Sequence, residues 1–61
     1  MPNIIVEGPP LDVESKRKLV EEFTEVAAKV YKMQKEVFLV LIKENPPENV
    51  GIGGKLIIDR E

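Results

Sequence analysis

The 61-residue chain has no cysteine and no histidine. The first absence excludes disulfide staples, and the two together remove the ligands that transition metals prefer, so no metal and no cofactor is expected. A cationic surplus is missing too. Nine Lys and Arg face eleven Asp and Glu, for a net charge of −2, which leaves nothing to neutralise a phosphate backbone and makes nucleic acid an unexpected partner. Long apolar runs are absent as well: Val37 to Ile42 is far too short to span a bilayer, and Met1 to Val6 lacks a basic segment followed by a signal-length apolar core. The expectation is a cytoplasmic protein with no membrane partner.

A chain of this size makes one small domain, residues 1–61, and buries only about 60% of the surface its unfolded form exposes. Such domains are rescued by disulfides, by a metal or by association. With the first two excluded, self-association remains.

What is present reads as strand, helix, strand and a glycine-rich tail. Asn3 to Glu7 is rich in β-branched residues and is closed by Gly8-Pro9-Pro10. Asp12 offers an N-cap carboxylate, and Glu14 puts a negative charge in a first helical turn. Leu19, Phe23, Val26 and Val30 then recur at three- and four-residue spacing, widened by Val20, Ala27 and Tyr31, with Lys and Glu mostly outside the stripe. That pattern predicts an amphipathic helix from Val13 to Lys32. Val37 to Ile42 is apolar at both parities, the pattern of a strand covered on both faces, and it stops before Asn45-Pro46-Pro47.

The class is α+β: one βαβ unit with parallel strands and the helix on one face. A single helix cannot cover the second face, so at least a homodimer is expected. Val50 to Ile58 mixes β-formers with Gly51, Gly53 and Gly54, predicting a hairpin or an arm that reaches a neighbouring subunit.

Chemistry starts at Met1-Pro2. Removal of the initiator methionine leaves the proline nitrogen as a free secondary amine at the head of a rigid strand, where burial can tune its pKa. If the methionine stays, the nitrogen is an amide with no basicity. Proline after methionine is common, so by itself this is weak.

Met1-Pro2, the βαβ unit and Gly51-Ile52-Gly53-Gly54-Lys55-Leu56 together resemble the 4-oxalocrotonate tautomerase family, and the resemblance covers essentially the whole chain. It implies tiny βαβ subunits assembled as a homohexamer, and an isomerase that interconverts enol and keto forms of a small unsaturated acid. Pro2 stands where the family has its general base. The best-known members carry an arginine after the glycine that ends the first strand, another at the start of the second, and an aromatic before the glycine-rich tail. Here those places hold Pro9, Leu39 and Val50. The expected pocket therefore has Ile4, Leu39 and Val50 as apolar lining, with low activity on diacids.

Lys16 or Arg17, early in the helix, is the expected replacement for the substrate-holding cations. Lys43 shares strand parity with Leu39 but lies about 13 Å further along. For all three, the plain alternative is a solvated surface cation. Gly51 to Lys55 is too short for a phosphate loop, and Leu56 stands where a Mg²⁺-binding hydroxyl is needed. Glu7, Glu44 and Glu48 are read as solvated carboxylates. The contrasting classes are a non-catalytic oligomeric binding or scaffold protein of the same fold, and a proline-dependent hydratase or dehalogenase.

Overall fold

A computed structural model describes residues 1–60. Strand β1 covers Asn3–Gly8, helix α1 Val13–Tyr31 and strand β2 Leu39–Glu44. The strands pair in parallel, with Asn3 opposite Leu39 and Gly8 opposite Glu44.

β1 ends where the two prolines, which have no N–H for a ladder, begin. α1 starts after Asp12, which holds the expected N-cap position in extended conformation. Its side chain makes no capping bond to the backbone. It accepts the Ser15 hydroxyl at 2.5 Å instead, while the Lys16 N–H bonds to the Asp12 carbonyl at 3.1 Å. The helix stops at Tyr31 because Lys32 turns left-handed, with φ 59° and ψ 45°, and donates its N–H to Ala28.

The second strand begins later than its apolar run suggests. Lys35–Val37 forms a single 3₁₀ turn, in which Val37 and Phe38 donate to the Gln34 and Lys35 carbonyls at 3.2 and 3.1 Å. Those donors are lost to the ladder. Pairing starts when the Leu39 N–H reaches the Pro2 carbonyl at 3.1 Å and continues until the Asn45 N–H bonds to Gly8 at 2.8 Å.

Alternation along the strands separates two faces. Ile4 and Val6 of β1, with Val40 and Ile42 of β2, are half-buried on the side of α1. Ile5, Leu39 and Leu41 remain 54%, 39% and 47% exposed on the other side.

The tail forms its own two-stranded antiparallel sheet, β3 (Gly51–Ile52) with β4 (Lys55–Leu56). Gly53 and Gly54, at φ 63° and 87°, supply the positive torsions of a two-residue hairpin turn.

No described residue is buried. The accessible surface is 5110 Å², against about 4,000 Å² expected for a compact monomer of this mass. The radius of gyration is 15.0 Å, whereas a globule of this length has about 10.5 Å. No helix is long and apolar enough to cross a membrane.

Candidate active site

Pro2 stands at the entrance of the parallel pair and is half-buried. Its carbonyl is held by the Leu39 N–H, so the residue sits on the ladder rather than in a loose terminus. Met1 projects beyond it, 86% exposed. The register begins at the Asn3–Leu39 pair, and Phe38, the residue before Leu39, closes the 3₁₀ turn that leads into this end of the sheet. The Phe38 ring meets Tyr31, from the last turn of α1, edge-on at a centroid distance of 5.8 Å and an interplanar angle of 65°. Ile4 follows Pro2 on the helix side, opposite Val40, while Leu39 belongs to the bare face. This end of the sheet is apolar.

The candidate cations lie at the other end. Lys16 donates from Nζ to Glu44 Oε2 at 2.8 Å, and the same oxygen accepts the Leu11 N–H at 3.0 Å. The Lys16 ammonium first and the Leu11 N–H second hold the Glu44 carboxyl below the usual carboxylate range. Glu44 is thus a clamp joining the loop after β1, the first turns of α1 and the end of β2, where the sequence suggested a solvated acid. Nothing in the local pattern pairs residues so far apart in the chain.

Arg17 pairs with Glu14 one turn earlier. From Leu39 to Glu44 is five strand steps, about 17 Å, so neither Lys16 nor Arg17 meets Pro2 of the same chain. Val50 follows the 3₁₀ turn Pro47–Asn49 and holds the Ile57 N–H at 2.9 Å, also beyond the Glu44 end. Lys43 stands opposite Glu7 in the register, and Glu7 accepts a bond from the Asn45 amide at 3.3 Å. Glu48 lies within the Pro47–Asn49 turn. Of the candidates singled out in the sequence, the chain by itself brings only Ile4 and Leu39 to Pro2.

Sequence reasoning missed Phe38 as a neighbour of Pro2 and left Tyr31 as part of the helix stripe. The signal available was chain order: Phe38 directly precedes Leu39, whose N–H holds the Pro2 carbonyl. Among the described residues, no group of His, Cys, Asp or Glu is arranged to hold a metal ion.

The Tautomerase family, described as tautomerase enzyme, matches residues 2–60. No curated protein sequence matches. The chain is similar to the crystal structure of DmpI from Archaeoglobus fulgidus, with 55% identity over 95% of this chain and 100% of that one, at a TM-score of 0.85. It is also similar to YwhB, a homologue of 4-oxalocrotonate tautomerase, with 30% identity over 98% and 100% of the two chains and a TM-score of 0.87. A heterohexameric 4-oxalocrotonate tautomerase from Chloroflexus aurantiacus, 20% identical over 100% of this chain and 98% of that one, shares the fold at a TM-score of 0.81.

Proposed function

The chain belongs to the tautomerase family, and from that premise we propose that it is an isomerase of unsaturated enol acids with Pro2 as its general base. Loss of Met1 frees the ring nitrogen. Apolar surroundings disfavour its ammonium form, so the amine is neutral near physiological pH. It takes the proton of the enol hydroxyl, the carbon–carbon double bond shifts to make the ketone, and the same proton returns to carbon of the conjugated system. No net proton is consumed.

The observation that supports this most is the placement of Pro2: it is tied through its carbonyl to Leu39 at the head of the sheet, and the Met1 before it is exposed. Self-association belongs to the same reading, with a homohexamer as the expected assembly. A second copy must cover Ile5, Leu39 and Leu41, and only another copy can carry Lys16, Arg17 or Val50 to a given Pro2. The homohexamer, the processing of Met1 and a cytoplasmic location remain parts of this proposal.

One observation favours a second reading. Lys16 and Arg17 are both engaged by carboxylates far from Pro2, which suits a non-catalytic assembly of the same fold, or a related hydratase or dehalogenase. Intact-mass measurement and turnover of phenylenolpyruvate and 2-hydroxymuconate by the native protein and Pro2→Ala decide between them. Loss of a general base lowers the rate by about 10²–10⁴-fold. Equal rates for the two proteins end the isomerase reading.

A further inference from the structure

We propose that Glu25 is a positioning residue for the Pro2 amine: through Lys35 it fastens the 3₁₀ turn before β2 to α1, and that turn sets the Leu39 N–H that holds the Pro2 carbonyl. The inference rests on the reading of Pro2 as the base and adds a residue outside the site that keeps the base in place.

The chain between α1 and β2 has little of its own to hold it. Its 3₁₀ turn, Lys35–Val37, has no side-chain cap at Gln34, and its two backbone bonds are 3.2 and 3.1 Å long. Two tethers from α1 fix it instead. The Phe38 ring rests edge-on against Tyr31, and the Lys35 ammonium pairs with the Glu25 carboxylate. Lys35 is engaged twice, because its carbonyl accepts the Phe38 N–H while its side chain reaches the helix. The next N–H along, that of Leu39, bonds to the Pro2 carbonyl at 3.1 Å. A continuous line therefore runs from Glu25 through Lys35, Phe38 and Leu39 to Pro2.

Among the ion pairs of the described residues, Arg17–Glu14 and Lys18–Glu22 lie one turn apart within α1 and support only the helix. Lys16–Glu44 and Lys35–Glu25 join separate elements: the first ties α1 to the end of β2, the second ties it to the turn that opens β2. The pair nearer Pro2 is thus the one that Glu25 makes. Lys35, by its hydrogen bond and its charge, holds the Glu25 carboxyl below the usual range, and Glu25 in turn raises the Lys35 ammonium. Both side chains are more than half exposed, at 56% and 59%, so the pair adds little to overall stability. Its effect is on geometry, to which proton transfer is far more sensitive.

The test compares Glu25→Gln, which keeps the shape and removes the charge, with Glu22→Gln, which breaks the Lys18 pair on the same helix and leaves the turn alone. The substrate is phenylenolpyruvate or 2-hydroxymuconate, whichever the native protein turns over faster. Glu25→Gln is expected to lower kcat by about three- to tenfold, with KM within about twofold and the acid limb of the pH–rate profile in place. Glu22→Gln is expected to match the native protein.

A readout without substrate is amide hydrogen exchange at Leu39, expected to quicken by about two- to fivefold in Glu25→Gln and not in Glu22→Gln. Equal exchange at Leu39 in the two variants, equal losses of kcat, or a displaced limb with kcat unchanged overturns the positioning role and leaves a positive Pro2→Ala result standing. Full activity of Pro2→Ala overturns the base and the role of Glu25 with it.

Discussion

Replacing Leu41 by aspartate tests whether the bare sheet face is an interface. The chain exposes about 1,100 Å² more than a compact monomer of its mass should. If about 65% of that excess is apolar, as in homodimer interfaces, covering it contributes about 18 kcal/mol per chain at ~25 cal/mol/Å². Loss of translational and rotational freedom offsets about 4–15 kcal/mol of this. Leu41 is 47% exposed in the single chain, so the substitution hardly disturbs the isolated fold.

In an assembly the same change forfeits about 1 kcal/mol of apolar burial and strips a carboxylate of water without a partner, for a total of about 4–6 kcal/mol. That weakens association by roughly a thousandfold or more. Sedimentation velocity over a concentration series reads it directly, with Lys18→Gln as a control that makes the same change of charge on the outer face of α1, where the lysine side chain is 80% exposed. If Leu41→Asp sediments like the native protein at micromolar concentration, the covered-face argument is wrong.

Lys32→Gly removes the steric cost of a non-glycine residue in the left-handed region and is expected to stabilise the helix end by about 1 kcal/mol. Thermal melting should show a midpoint about 4–8 °C higher, and an unchanged midpoint would mean that Lys32 earns its conformation by another contact. Glu44→Gln keeps the shape of the clamp and removes its charge. Because the folded Glu44 carboxyl titrates below its unfolded value, its contribution is complete above the unfolded pKa and fades as pH falls through the folded one. Acid denaturation of the variant should therefore depend less steeply on pH over that window, and identical acid limbs would discount the clamp.

The helix was legible because its stripe is a local property: residues three and four apart must share a face; its end was not, since Lys32, read as helical, turns left-handed without a glycine or asparagine to signal it. The parallel sheet followed from connection length, and the hairpin from adjacent glycines. The start of β2 was not legible, because hydrophobicity cannot tell a residue whose N–H enters a ladder from one whose N–H closes a 3₁₀ turn. Val37 and Phe38 are as apolar as Leu39, yet only Leu39 pairs. Of the site, Pro2 could be placed from chain order alone. Lys16 could not, since its partner Glu44 belongs to a distant element, and the ion pair that engages it becomes visible only when α1 folds back along the sheet.

Apolar surroundings act on the Pro2 mechanism in two opposite directions. They depress the ammonium form of the amine and so make the base available near neutral pH. They also withhold the positive charge that would stabilise an enolate as it forms. If Phe38 and Leu39 dominate the site, the acid limb of the pH–rate profile should fall near neutrality while kcat stays modest. If a cation from another copy reaches the substrate, it stabilises the enolate but also destabilises the protonated amine, so it adds rate and moves the limb to still lower pH. Substituting Arg17 by Gln separates the cases: a fall in kcat with the limb displaced upward identifies a cation arriving from a neighbour, whereas an unchanged profile leaves the dry site to work without one.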